Sequence, residues 1–372
     1  MKKIVIMGGG IIGTMHAYLA LKEGYSVIQC EREQIARSAS VRNFGLIWVS
    51  GREVGAELEM ALRAREIWGE VGAAVPATGF RSNGSITIAR NEAEWQVLQE
   101  AAAMPDADLR GFSLLVKEEV TALEPVLAGD FIGGLRCTQD AAAEPNRLLV
   151  SLREYLKADE NYRWMPNFDV MDFYHSETGN HIIDVKGQTI SGDLMVMCPG
   201  SSHQGFLSSF FADAPVRRVR LQMGATVPLP AKLGHSVADG DSLRYYPAFK
   251  DLSLAALPPQ SEIAARRKMQ LLMVQRLDGT LTIGDTHEYD EPFDHEILEE
   301  PYEHLSGVIS AIFGRTAPVV SRRWDGIYSQ STSSETYFRK AIAPGAIVVT
   351  GGGGRGNTLS PAIAEETMIQ WR

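Results

Sequence analysis

The chain has 372 residues, 45% of them hydrophobic and 22% charged, with a formal net charge of -10. That length admits a large core and more than one domain, while the acidic balance argues against the basic footprint a nucleic-acid partner needs. No stretch is long and apolar enough to span a membrane, and Cys30, Cys137 and Cys198 lack disulfide or metal-ligand spacing, which points to reduced thiols in a cytoplasmic protein and to no metal site.

Met1-Lys2-Lys3 and the apolar residues after it have the look of a leader, but the run falls into glycine too soon. Lys3 to Met7 reads instead as a buried parallel strand. A helix follows from Ile12 to Glu23, with Gly24 at its C-terminal cap, and Ser26 to Cys30 is a second buried strand. Gly8-Gly9-Gly10-Ile11-Ile12-Gly13 fits G-x-G-x-x-G inside this βαβ opening. Gly8 permits the turn, Gly10 lets a pyrophosphate approach the backbone, and Gly13 lets helix and strand pack closely. Glu31 lies 18 residues past Gly13 at the end of the second strand, where a carboxylate meets the adenosine ribose hydroxyls. Arg32 beside it flanks the adenine or is solvated. Arg37 to Gly51 is a loop of unusual composition, and Glu57 to Val71 is helical.

The texture changes near Phe80. SNGSITIA is a strand, Glu92 to Ala103 a helix, Gly133 to Asp140 a strand, and Pro145 to Lys157 a helix opened by proline. Phe168 to Tyr174 and His181 to Val185 form a meander, and Asp193 to Met197 is a fully apolar strand closing on Cys198-Pro199-Gly200. From Arg217 to Asp290 the segments LQMGATVPL, RYYPAF, QLLMVQRL and TLTIGDTHEY alternate, as in an antiparallel sheet with one wet face. Tyr302 to Phe313 is a helix. Ala346 to Thr350 returns to the parallel texture and runs into a second glycine loop, GGGGRGNTLSP, before a helix from about Ser360-Pro361 to Trp371. Parallel-type strands at the start, middle and end predict an α/β (α+β overall) chain of two discontinuous domains. Residues 1–79, 141–215 and 325–372 form a Rossmann-like dinucleotide-binding domain; 80–140 and 216–324 form an antiparallel-sheet substrate domain.

The opening βαβ unit, the loop SASVRNFGLIWVSG, the strand closing on Cys198-Pro199-Gly200 and the terminal GGGGRGNTLSP together resemble the D-amino acid oxidase superfamily, which includes glycine oxidase and sarcosine oxidase. The resemblance covers the whole chain. It implies non-covalent FAD, because no cysteine matches the one that tethers flavin in sarcosine oxidases. It also implies hydride transfer from a small primary or secondary amine to flavin N5, with hydrolysis of the imine, and oxygen or another acceptor to reoxidise the flavin. RNFGLIW, GGGGRGNTLSP and DGTLTIGDTHEY resemble, more narrowly, a bacterial branch linked to aminophosphonate metabolism.

Carried over by position, Gly8, Gly10, Ile11, Ile12, Gly13, Glu31 and Arg32 match the adenosine diphosphate site. Ala39, Ser40, Arg42 and Asn43 fall where a second loop reaches pyrophosphate and flavin, and Val170 where a strand bonds adenine. Cys198 and Gly200 stand in place of Ala-Thr-Gly. Gly353, Gly354, Gly356, Asn357, Thr358 and Leu359 bring backbone N–H groups to the flavin pyrimidine ring, which becomes negatively charged on reduction. Substrate-side candidates are Arg42, Trp48, Tyr246, His287 and Tyr328. One departure matters. In RRWDGIYSQS, Tyr328 occupies the place of the arginine that clamps the substrate carboxylate in amino acid oxidases. A tyrosine offers one hydroxyl where arginine offers a fork. This favours another acidic group, such as a phosphonate, or a non-acidic amine, unless Arg42, Arg244 or Arg323 compensates. A flavin-dependent 2-hydroxy acid dehydrogenase, a flavin-binding subunit without turnover, and an NAD enzyme remain open alternatives.

Overall fold

A computed structural model describes residues 1–372. Strand Lys3–Met7 lies inside a six-stranded sheet, paired in parallel with Ser26–Cys30 on one side and Leu194–Met197 on the other. Tyr162–Met165 extends the first side; Ala346–Thr350 and then Phe338–Ala343 extend the second, the last pair antiparallel. The chain therefore leaves its first strand to one side and later returns to the other. Such a reversal opens a crevice at the carboxyl ends of the strands. Helices Ile11–Lys22 and Gly356–Trp371 pack together in the core with Ala56–Ala74. Ile11–Lys22 is buried on nearly all sides, as its weak amphipathicity requires. It ends at Glu23, and Gly24 follows with φ +80°. The Tyr25 N–H bonds Ala20 O and the Gly24 N–H bonds Leu21 O, closing a Schellman turn.

The second sheet has eight strands, in the order Val320–Ser331, Val216–Pro228, Thr280–Gly284, Leu272–Gln275, Ser236–Asp239, Ser85–Ala89, Gly133–Cys137 and Phe112–Val116. Every pair is antiparallel except Ser236–Asp239 with Ser85–Ala89. A small antiparallel sheet of Val170–Ser176, Gly179–Asp184 and Thr189–Gly192 completes the sequence-predicted meander.

Three sequence expectations are corrected. The central strands have no wet face. Met273 and Ile283 pack on helix Glu300–Phe313, while Leu272 and Val274 join Phe44, Trp48 and Tyr246 on the opposite side. RYYPAF is not a strand: Gly240–Tyr245 and Pro247–Phe249 are short 3-10 turns, the first capped by Asp239, whose carboxylate accepts the Ser242 N–H at 3.1 Å. The last helix begins at Gly356, with Pro361 inside it. Proline has no N–H for the carbonyl four residues back, so Asn357 O is bonded instead by Trp68 Nε1 at 3.2 Å and Ser360 Oγ at 3.2 Å.

Candidate functional site

One cavity of about 830 Å³ runs from the first glycine loop to the inner face of the eight-stranded sheet. Every site residue singled out from the sequence lines it except Leu359 and Arg323. The Leu359 side chain is fully buried in the core packing, so what it can offer a cofactor from the first turn of Gly356–Trp371 is its backbone N–H.

At the first end, Gly8 has φ +113°, and a β-carbon there would lie 2.4 Å from Cys198 O. A β-carbon on Gly13 would lie 2.2 Å from Gly8 O, so this glycine lets the helix close on the loop. Helix Ile11–Lys22 has no side-chain cap of its own. Ser40, from the second loop, accepts the Ile11 N–H at 3.0 Å. Glu31 accepts the Gly9 N–H at 2.8 Å and the Glu33 N–H at 3.2 Å, which holds its carboxylate at the cavity edge with lone pairs to spare. Arg32 reaches Ser202 Oγ at 3.3 Å and is exposed. Gly200 accepts the Thr350 hydroxyl at 2.7 Å and so ties the middle strand's loop to the last strand. Val170 lines the cavity at the start of its strand.

The loop between is braced by its own polar groups. Asn43 donates to Ala39 O at 2.9 Å and accepts the Gly45 N–H at 2.7 Å, so its amide shapes the turn of residues 39–45. Arg42 turns its guanidinium to Arg37 O and Asp325 O, both at 2.9 Å, and is half-exposed. It is spent on loop closure. Arg323 pairs with Glu299 at 2.6 Å and lies off the cavity; Arg244 lines it but pairs with Asp241 at 2.8 Å. Each of the three has a carboxylate partner of its own, Asp325 for Arg42, Asp241 for Arg244 and Glu299 for Arg323.

At the far end, the first turn of Gly356–Trp371 faces the cavity without a side-chain cap. Thr358 Oγ1 accepts the Trp48 N–H at 2.9 Å, and Asn357 donates to Leu46 O at 2.9 Å, fixing the Trp48 segment against this helix. Trp48 packs on Tyr246 with centroids 5.8 Å apart, Tyr246 on Tyr245 at 5.4 Å, and Tyr245 on His287 at 4.5 Å. Burial, and then the Asp285 carboxylate, push the Tyr246 phenol well above its usual range. The Tyr328 phenol rises in the same way, through burial and then through Tyr245 and Asp285. Three residues here carried no sequence signal: Arg52, Gln270 and Asp285. Asp285 is two residues before His287, at the end of Thr280–Gly284, and only the strand's end point shows that it enters the cavity.

The polar atoms left over describe what the cavity takes. Trp48 Nε1, Tyr328 Oη, Gln270 Oε1 and Asn357 Oδ1 are buried, line the cavity and have no hydrogen-bond partner. Buried polar atoms are rarely left unpaired. Two helix N-termini without a side-chain cap from their own N-cap residues, with partial positive charge, open on the same space. An elongated group, anionic near one end and rich in donors and acceptors at the other, satisfies both. FAD has that form.

The comparisons with known proteins agree. Over 240 residues the chain is 20% identical to one of the subunits of opine oxidase from Agrobacterium tumefaciens (strain Ach5), spanning 60% of this chain and 62% of the relative, so it matches less than two thirds of that protein's length. Its fold is similar to glycine oxidase from Bacillus cereus ATCC 14579, with TM-score 0.79, 19% identity, and 100% of this chain and 96% of that one covered. It is similar also to L-proline dehydrogenase from P. horikoshii, with TM-score 0.79, 17% identity, and 98% and 92% covered. The family model "DAO: FAD dependent oxidoreductase" matches residues 3–368. The chain is an FAD-dependent oxidoreductase of the DAO family.

Proposed function

We propose that this oxidoreductase acts on the C–N bond of a small primary or secondary amine of amino acid or aminophosphonate type. One observation carries the choice of an amine. His287 Nδ1 lies 3.0 Å from Lys268 O, so this nitrogen donates to the carbonyl and the ring's other edge is turned to the cavity wall. Nε2 faces Asp285 Oδ2 across 3.9 Å, beyond hydrogen-bond range, with both residues on the cavity wall. Gln270 donates to the other Asp285 oxygen at 3.1 Å. The second Asp285 oxygen has no hydrogen bond from the protein, and a buried carboxylate is better matched by the charged N–H donors of an ammonium group than by a neutral hydroxyl.

The supporting residues take these roles. The N-terminus of Ile11–Lys22 holds the FAD pyrophosphate, Glu31 the ribose hydroxyls and the strand at Val170 the adenine. The N-terminus of Gly356–Trp371 faces the flavin pyrimidine edge. FAD, when bound, supplies the two-electron acceptor for the C–H bond beside nitrogen, and the imine product is hydrolysed by water. Asp285 holds the amine and takes a proton from its ammonium form. Trp48, Tyr245 and Tyr246 exclude water and orient the C–H bond. Tyr328, in the place of the carboxylate-clamping arginine, favours a phosphonate over a plain α-carboxylate. All six strands of the first sheet fall in residues 1–79, 141–215 and 325–372, while the strand Val320–Ser331 of the eight-stranded sheet crosses the proposed boundary at residue 325.

The test is anaerobic bleaching of the yellow protein. N-methylated and plain 2-aminoethylphosphonate, glycine, sarcosine and a 2-hydroxy acid are compared. Bleaching by an amine and not by the hydroxy acid is expected; the reverse overturns the amine reading, and indifference to both phosphonates removes the narrower one. The opine oxidase relative is one subunit of its enzyme, which favours a second reading in which turnover needs a partner chain. Bleaching by the purified chain alone excludes it.

A further inference from the structure

Arg52 is a buried cation with one edge unused. It is 5% exposed and lines the cavity. Its Nε donates to Trp48 O at 2.7 Å and its Nη1 reaches Glu57 Oε1 at 3.5 Å, while Nη2 makes no hydrogen bond within the protein. Glu57 does not neutralise it alone, because Arg355 Nη1 lies 3.3 Å from the same oxygen. Two guanidinium groups against one carboxylate leave this cluster one positive charge in excess, beside the cavity. An incompletely paired buried charge is costly unless something anionic arrives. The bond from Nε to Trp48 O fixes the plane of the fork, and Trp48 packs on Tyr246. The Tyr246 phenol is within electrostatic reach of both Arg52 and Asp285. The cavity wall near Tyr246 therefore carries both a carboxyl, Asp285, and a guanidinium, Arg52.

We propose that Arg52 is the specificity-determining anchor for the substrate's acidic group, a phosphonate or carboxylate. It does from the Trp48 segment what an arginine in the place of Tyr328 does in amino acid oxidases. The inference rests on the amine-oxidation reading and deepens it: a substrate held by both Asp285 and Arg52 carries an amine and an oxyanion. The flavin ring itself competes for the same charge, since it becomes anionic on reduction, and the test separates the two.

The experiment uses the FAD-loaded protein and the variants Arg52→Met and Arg52→Lys. Methylphosphonate and acetate are titrated as non-reacting anions, read by the visible spectrum of the bound flavin. This needs no turnover, so it stands even if no amine bleaches the protein. In the wild type we expect saturable binding, tighter for methylphosphonate if the acidic group is a phosphonate and tighter for acetate if it is a carboxylate. Kd rises about 100-fold in Arg52→Met, the scale of a lost charge-assisted fork. It rises about 10-fold in Arg52→Lys, which keeps the charge and loses the fork. With an amine that bleaches, the ratio of kcat/KM for the acid-bearing amine over its analogue without the acid falls by a similar factor, through KM. A wild-type spectrum indifferent to both anions overturns the proposal. So does an unchanged Kd in Arg52→Met with a shifted flavin reduction potential, which assigns the guanidinium to the cofactor. If Arg52→Met yields no yellow protein, an unchanged Kd in Arg52→Lys overturns it equally.

Discussion

At Asp285 two demands meet in one side chain. Burial raises the carboxyl above its ordinary range, while His287 and Gln270 draw it back. A carboxyl so placed is a better proton acceptor once ionised than an exposed one, and its ionisation moves toward working pH. The residues about it are His287, Gln270, Tyr245, Tyr246, Tyr289 and Tyr328, none of them a permanent cation. Catalysis through the ionised form therefore gains as pH rises through this pKa. The rise of kcat/KM with pH in the wild type should show a limb from Asp285, below the limb set by the substrate's own ammonium. Asp285→Asn removes the lower limb and costs about 10²- to 10⁴-fold in kcat/KM. A pH–rate profile of the variant that keeps that limb assigns it elsewhere. Asp285 also shows the limit of reading by residue type. A single aspartate between a strand and a histidine has no signature of its own; its chemistry comes from the neighbours that the sheet register brings to it.

The helix pair Ile11–Lys22 and Gly356–Trp371 is joined by a buried histidine. His16 bonds Ile12 O through Nδ1 at 2.8 Å and Thr367 Oγ1 through Nε2 at 2.9 Å. Burial lowers its pKa from 6.5 to about 4, so the folded state favours the neutral ring. The sign is fixed by linkage: stability from the depressed pKa is present above pH 6.5 and is lost as pH falls toward 4. Across that interval we expect a loss of about 3 kcal/mol, seen as a falling urea midpoint, with a flatter profile in His16→Gln. Equal profiles for the two proteins exclude His16 as the source. These helices also show what the sequence makes legible. Lys3–Met7, Ser26–Cys30 and Ala346–Thr350 are buried on both faces or nearly so, and a continuous apolar run is the direct record of that. The start of the last helix is hidden, because glycines and Pro361 speak against helix and the freed carbonyl is satisfied by a tertiary bond from Trp68 and a local one from Ser360. The strand Val320–Ser331 carries Arg322, Arg323 and Asp325 near its start, at the end of its sheet; with no apolar run and no clean alternation, it gives no strand signal of its own. In the site, the glycine loops were legible because backbone approach demands glycine, whereas Arg52 and Gln270 were not, because any surface offers such residues.

Across the whole molecule, the cavity is built from segments at opposite ends of the chain. Residues 8–13 form one helix entrance and residues 351–358 the other, with the loop of residues 37–48 between them. Neither entrance supplies its own side-chain cap. A ligand that reaches both ends should therefore stabilise the folded chain as a unit, in proportion to the logarithm of its concentration over Kd, about 2.7 kcal/mol at 100 Kd. ADP, which carries the pyrophosphate without the flavin, distinguishes the two entrances. With the protein stripped of FAD, we expect both ligands to slow amide hydrogen exchange at residues 8–14. Only FAD should slow it at residues 351–358, where the N–H groups meet the flavin ring, and FAD should raise the melting temperature more than ADP at matched saturation. Protection of 351–358 by ADP alone would place the second glycine loop on phosphate. Its carboxy-terminal helix dipole would then act on the pyrophosphate, and reduced flavin would need its counter-charge from Arg52 and Arg355. The exchange pattern thus decides between the two uses of a glycine-rich helix entrance without any turnover being measured.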